Sequence, residues 1–171
     1  QLKLKEAEFD PTQMLEDMQL SMQAVATNKG IELKTECDPS VPRSLQGDED
    51  RINQILYNLV NNAIKFTDEG EVYVQMSMDE YDRWVIKVTD TGIGIAAEEQ
   101  QRLFEAFWQA DGSATRQNNA GVGLGLSIVR QLTEMMDGTV KMESRVGEGT
   151  TFIVALPLKQ IGELEGERVN G

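Results

Sequence analysis

Histidine is absent from this 171-residue chain. That removes the commonest general base, the commonest metal ligand and any histidine-centred triad from its own side chains. Cysteine occurs once, at Cys37, which excludes an intrachain disulfide framework and fits a reducing compartment. Positive charge is scarce too: 16 Lys and Arg stand against 29 Asp and Glu, a formal net charge of −13. So acidic a chain lacks the basic face that covers nucleic-acid phosphates and releases counterions, and no nucleic-acid partner is expected. No apolar run approaches the roughly 20 residues that span a bilayer, and the start, Gln1 to Glu8, is charged and unlike a signal peptide. The reading is a soluble, cytoplasmic piece without direct membrane contact. A first residue other than Met suggests that it comes from a longer parent, which could itself be membrane-anchored. Whatever chemistry the chain performs must use carboxylates, amides, backbone groups and a bound metal.

The length fits one domain with a real core, without repeats or low-complexity tracts. Asp10-Pro11 reads as an N-cap and first-turn proline, and Leu15, Met18, Met22 and Val25 then recur at helical spacing until Gly30, predicting a helix over 11–28. Ile31, Leu33, Thr35 and Cys37 alternate as in a half-buried strand, and Asp48 can cap a second helix running to Phe66. Val72 to Met78 and Trp84 to Val88 alternate on either side of a turn, predicting an antiparallel hairpin. A short helix near Glu98 to Phe104, a mobile loop over 109–120, a third helix from Leu124 to Met136 and strands over 139–144 and 150–156 complete the pattern. The sum is an α/β two-layer sandwich, three helices on one face of a mixed, mostly antiparallel sheet. The polar stretch from Lys159 to Gly171 reads as linker or tail.

Within the second helix, about 100° of turn per residue puts Arg51, Gln54, Asn58, Asn61, Asn62 and Lys65 on one arc, opposite Ile52, Ile55, Leu56, Leu59, Val60 and Ala63. This pattern also suits an ordinary solvated face. Asparagine is a mediocre helix former, however, and its amide oxygen is a neutral ligand for Mg²⁺, a cation that prefers oxygen and keeps phosphates in its octahedron. Lys65, nearly one turn beyond Asn62, could then meet a phosphate. Asp90-Thr91-Gly92-Ile93-Gly94-Ile95 follows a predicted strand. It allows a plain turn, the paired carboxylates of an aspartic protease, or a carboxylate that accepts the exocyclic amine of adenine. Gly121-Val122-Gly123-Leu124-Gly125-Leu126 leads into the third helix, where backbone N–H groups can cradle phosphates or merely shape a turn. Phe104, Phe107 and Trp108 can pack in the core or anchor a lid, and Thr150 begins the last strand with a hydroxyl near the same end.

The order of these pieces across residues 48–157 resembles the catalytic and ATP-binding domain of two-component sensor histidine kinases, within the wider gyrase, chaperone and MutL-type ATPase superfamily. Residues 9–47 resemble the start of that domain in hybrid-type kinases. The resemblance implies ATP and Mg²⁺ as ligands, with Asn62 on the metal, Asn58 on the phosphate side and Lys65 on a phosphate. By the same resemblance Phe66 flanks the adenine, Asp90 accepts its amine, Gly92, Gly94 and Ile95 shape that pocket, and Thr150 acts through a water. Gly121, Gly123, Leu124 and Gly125 become the phosphate side of a mobile ATP lid, Phe104 and Phe107 its hinge, and Arg116 a phosphate contact within it. Where many relatives have Gly-Gly-Thr this chain has Ala120-Gly121-Val122, so a hydroxyl near the phosphates is lost.

Hydrolysing members of the superfamily have a glutamate one turn before the metal asparagine. Here that position is Asn58, and an amide cannot act as a general base, which favours transfer over hydrolysis. The implied activity is transfer of the γ-phosphoryl group to a histidine on a separate dimerisation domain of the same parent, with a response regulator receiver domain downstream. A nucleotide-gated interaction module and a protein serine kinase of the same superfamily are the alternatives. The expected organisation is a linker end over 1–9, the catalytic domain over 10–158 and a tail over 159–171.

Overall fold

The computed structural model describes residues 3–100 and 120–160, with side chains in the second segment from Gly125 onward. Three helices, α1 (Pro11–Lys29), α2 (Glu49–Phe66) and α3 (Ala120–Met135), accompany eight strands among these residues. The strands are β1 (Ala7–Phe9), β2 (Ile31–Cys37), β3 (Leu45–Gly47), β4 (Gly70–Met78), β5 (Trp84–Asp90), β6 (Thr139–Arg145), β7 (Gly149–Leu156) and β8 (Lys159–Gln160). A five-stranded sheet runs in the order β2-β4-β5-β7-β6 and a three-stranded one in the order β1-β3-β8. β2 and β4 are parallel because α2 carries the chain back between them, and every other pair is antiparallel. The mixed, mostly antiparallel sandwich is therefore as the alternation predicts.

Local chemistry explains the helices. Asp10 accepts from the N–H groups of Thr12 and Gln13 at 2.9 and 3.2 Å and starts α1. Its buried stripe is Met14, Leu15, Met18, Met22 and Ala26. The expected Val25 is 46% exposed, because four residues on from Met22 the stripe reaches Ala26. α2 starts at buried Asp48, which accepts from Arg51 N at 3.2 Å and also from Lys5 N at 2.8 Å. Its other end is held by Lys29, whose ammonium donates to the carbonyls of Ile64 and Lys65 at 2.7 and 2.8 Å.

The sheet register sets up the site. On the helix-facing side, Val74, Val88, Phe152 and Met142 form one cross-strand row, and Met76, Ile86, Val154 and Val140 the next. These rows pack against Ile55, Leu56, Leu59 and Val60 of α2 and Leu126 and Val129 of α3 in one core. Each fully buried aliphatic side chain contributes about 1.5–3 kcal/mol of transfer free energy. One row further along, the same register lines up Val72, Asp90, Thr150 and Ser144, so the apolar face ends in three polar side chains.

Two expectations change, and a third is met as far as the described residues reach. α3 begins at Ala120, four residues before the expected Leu124, so Gly121, Gly123 and Gly125 lie inside its first turns rather than in a loop before it. Two short strands extend the fold beyond the expected limits: β1 and β8 pair on either side of β3, and Phe9 is buried against Trp84 with ring centroids 5.7 Å apart. Strands of two or three residues leave no readable alternation, which is why the expected limits 10 and 158 leave both of them out. The expected helix over 98–104 is helical from 97 to 100, where the first segment ends. Its remainder, Phe104, Phe107, Trp108, Arg116 and the loop over 109–120 up to residue 119, lies outside the described residues.

Candidate nucleotide site

The polar arc of α2 is present, with one exception that marks it. Gln54, Asn61 and Lys65 are exposed and Arg51 and Asn58 half-buried, but Asn62 is buried at 7% exposure. Its Nδ2 makes no hydrogen bond within the described structure. A buried amide without a partner carries a desolvation cost of about 1–3 kcal/mol. Gly125 of α3 faces it so closely that a methyl group there would lie 3.5 Å from Nδ2 and 3.9 Å from Oδ1. Turning the amide over exchanges donor for acceptor in the same place, so Asn62 can offer an oxygen to a cation. Among the described residues no cluster of three or more Cys, Asp or Glu side chains could hold a metal ion. An amide oxygen together with the phosphates of a ligand is a donor set that suits Mg²⁺. Lys65, at the exposed end of α2, has no ion-pair partner among the described residues.

At the end of β5, Asp90 is 4% exposed. Its Oδ1 accepts from the N–H groups of Gly92 at 2.9 Å and Thr150 at 3.2 Å. Burial pushes its pKa above the ordinary carboxylate value, and those two N–H groups hold it back. Oδ2 accepts nothing from the described residues, which leaves one carboxylate oxygen for a ligand N–H. Half-buried Phe66, the last residue of α2, meets this loop directly: a side chain at Gly92 would run into the Phe66 carbonyl and lie 2.9 Å from Asp90 Oδ1. Gly94 adopts φ +74° against the Arg145 carbonyl, a left-handed conformation that also leaves no room for a Cβ. The fold thus gathers Phe66, Asp90, Gly92 and Thr150 at one sheet end, with Asn62 one turn back along α2.

Thr150 is buried, and its hydroxyl lies 2.8 Å from the Ser144 hydroxyl. Ile95 N donates to Ser144 Oγ at 2.8 Å, and Gln100 Nε2 donates to the carbonyls of Ile95 and Ser144 at 2.6 and 2.9 Å. Ser144 and Gln100 are the residues that sequence reasoning missed. For Ser144 a signal exists, since the alternation Val140, Met142, Ser144 carries a hydroxyl to the apolar side. Gln100 gives none. A recess of about 450 Å³ at this end is lined by Asp90, Ser144 and Thr150 and reaches Thr89, Glu143 and Thr151 on the outward face.

Residues 47–160 match the family described as histidine kinase-, DNA gyrase B- and HSP90-like ATPase. The chain belongs to that family. It is 39% identical over 158 residues to the autoinducer 2 sensor kinase/phosphatase LuxQ of Vibrio harveyi, covering 88% of this chain and 18% of LuxQ. It is also 39% identical over 158 residues to the sensor histidine kinase RcsC of Escherichia coli K12, covering 92% of this chain and 16% of RcsC. The chain thus spans less than a fifth of either relative. Full-length ShkA, solved in complex with AMPPNP, superposes with a TM-score of 0.79 at 34% identity, over 93% of this chain and 32% of ShkA. The nucleotide-free catalytic domain of the histidine kinase ThkA gives 0.73 at 27%, over 90% and 95%. Within the ATPase family the chain is thus similar to parts of proteins named sensor histidine kinases. Among the described residues no helix is long and apolar enough to cross a membrane.

Proposed function

We propose that this chain holds ATP and presents its γ-phosphoryl group to a histidine on a dimerisation domain that its own sequence lacks. The observation that carries this reading is the half-used carboxylate of Asp90, buried beside Thr150 and Phe66 with one oxygen left for the amine of adenine. Buried Asn62, whose Nδ2 has no partner among the described residues, supports a metal-bearing phosphate end one helical turn away. Mg²⁺, when bound, would neutralise charge on the phosphate oxygens and tie them to the Asn62 amide.

The roles of the chain's own groups follow from their chemistry. Asp90 accepts the base amine, Phe66 covers the ring and Asn58 lines the phosphate side. Lys65 supplies a cation at the end of α2, and the N–H groups at the start of α3, Ala120 to Gly123, offer donors to the phosphates. Catalysis is then positioning and charge neutralisation, because Asn58 cannot take a proton from water. Leu124, Phe107 and Arg116 complete the proposed site from the lid side. The folded unit takes in β1 and β8, and the parent works in the cytoplasm upstream of a receiver domain.

Titration with ATP in the presence and absence of Mg²⁺ tests the site. Asp90→Ala is expected to lose affinity with and without the metal, and Asn62→Ala chiefly with it. Unchanged affinity in both variants overturns the assignment. Incubated with ATP and a histidine-bearing dimerisation domain, the chain should produce an acid-labile phosphoadduct on the partner and none on itself. An acid-stable product would make it a serine kinase, and binding without transfer a nucleotide-gated module.

A further inference from the structure

β6 is an edge strand of the five-stranded sheet, and among the described residues no strand pairs with its outer side. In an antiparallel ladder the main-chain groups of alternate residues point to the partner and those between them point away. The Arg145 carbonyl takes a bond from Glu148 N inside the hairpin at 3.0 Å, whereas the Ser144 carbonyl takes one from Gln100 Nε2 at 2.9 Å on the outer side. Val140 and Met142 share the parity of Ser144, so their N–H and C=O groups face outward, without a partner among the described residues. The opposite edge, β2, is dressed: Gln19 Nε2 donates to the Leu33 carbonyl at 3.2 Å, and Glu71 holds the Lys34 ammonium at 2.8 Å. β6 has neither a proline nor a bulge, two of the devices that keep an edge from pairing. Lys141 in mid-strand is a third such device, but Glu143 two residues on reverses its effect toward one partner, an identical strand.

When two such edges meet antiparallel, outward-facing residues must oppose outward-facing residues, so the pairing centres on Lys141, Met142 or Glu143. Centred on Lys141 it sets that ammonium against its own copy. Centred on Glu143 it sets carboxylate against carboxylate and Lys141 against Arg145. Centred on Met142 it places Lys141 opposite Glu143 of the second copy, and the reverse, at positions where cross-strand side chains come closest. Lys141 and Glu143 are exposed and have no ion pair among the described residues, so both are available. We propose that β6 is an interaction edge whose partner is the β6 of a second copy of this chain, paired antiparallel about Met142. The twofold axis joins two five-stranded sheets into one and keeps the helices of both copies on the same side. Main-chain bonds at Val140 and Met142 supply the adhesion, and the Lys141 and Glu143 pairs supply the register. This edge is separate from the proposed ATP site and does not rest on it.

Sedimentation equilibrium of the 171-residue chain tests this, at about 0.15 M salt, where the repulsion between two chains of net charge −13 is screened beyond about 8 Å. The unsubstituted chain should show a reversible monomer–dimer equilibrium. Lys141→Glu and Glu143→Lys each set like charges opposite one another at both pairs, and each should raise the dissociation constant about tenfold. Mixed in equal amounts, the two variants should associate with each other as tightly as the unsubstituted chain does with itself, because the glutamates of one meet the lysines of the other. The double variant, with both charges exchanged, should dimerise like the unsubstituted chain. Met142→Pro removes an outward N–H that the β7 ladder does not use, and should be monomeric while its circular dichroism stays that of the folded chain. An unsubstituted chain that stays monomeric at its highest soluble concentration overturns the proposal. So does a dimer indifferent to Lys141→Glu, or a mixture of the two single variants that fails to associate.

Discussion

Asp90 carries opposite demands in one side chain. A carboxylate at 4% exposure is disfavoured as an anion, yet the proposed site needs an acceptor, and the N–H groups of Gly92 and Thr150 make the compromise possible. Because burial raises its pKa, its contribution to stability is full below the ordinary carboxylate value and is lost as pH rises through the raised one. Asp90→Asn removes that titration. The difference in urea-unfolding free energy, parent minus variant, should therefore decline as pH rises from about 4 towards neutrality, and a flat difference would refute the shift. Asn62 makes the same trade in neutral form. In Asn62→Ala the unbound chain should be no less stable, and more so by up to about 1 kcal/mol, because an unpaired buried amide is removed. The chain's motifs made Asn62 and Asp90 legible as residue types, but burial and the missing partner are properties of packing.

α2 is the element on which the site depends, and it is fixed from both ends by groups remote in sequence. Asp48 joins the N–H of Lys5 to the first turn, and Lys29 at the end of α1 holds the last carbonyls. Lys29→Met keeps the aliphatic stem and removes both bonds and the charge opposing the helix dipole. It should cost about 1 kcal/mol of unfolding free energy, read from the urea midpoint, with Lys29→Arg losing less. The N-cap was readable, since Asp48 precedes an apolar helical period. Lys29 was not, because its partners lie 35 and 36 residues away. The start of α3 was misread for a different reason: glycine is a poor helix former, so Gly121 to Gly125 reads locally as loop.

At the scale of the whole molecule, β1, β3 and β8 bring both ends of the folded unit to one place beside the large sheet. Phe9 ties that small sheet to the core through Trp84. Phe9→Ala should cost about 3 kcal/mol or more in urea unfolding, as for a core aromatic, and a loss below about 1 kcal/mol would make β1 an appendage. The acidity of the chain, net −13, is compatible with the proposed anion site, where Lys65 and the amides at the start of α3 would supply positive potential locally. The sequence by itself determined the helices and long strands, whose apolar periods and caps act over a few residues. It also determined the candidate chemistry, by excluding histidine and spacing asparagines, an aspartate and glycines in a readable order. Only the tertiary structure decided which groups meet. The β5-β7-β6 register puts Asp90, Thr150 and Ser144 in one row, and the packing of α2 on α3 leaves Asn62 Nδ2 buried without a partner among the described residues. A register is fixed by pairing across tens of residues, and an unmade hydrogen bond exists only once every neighbour is in place.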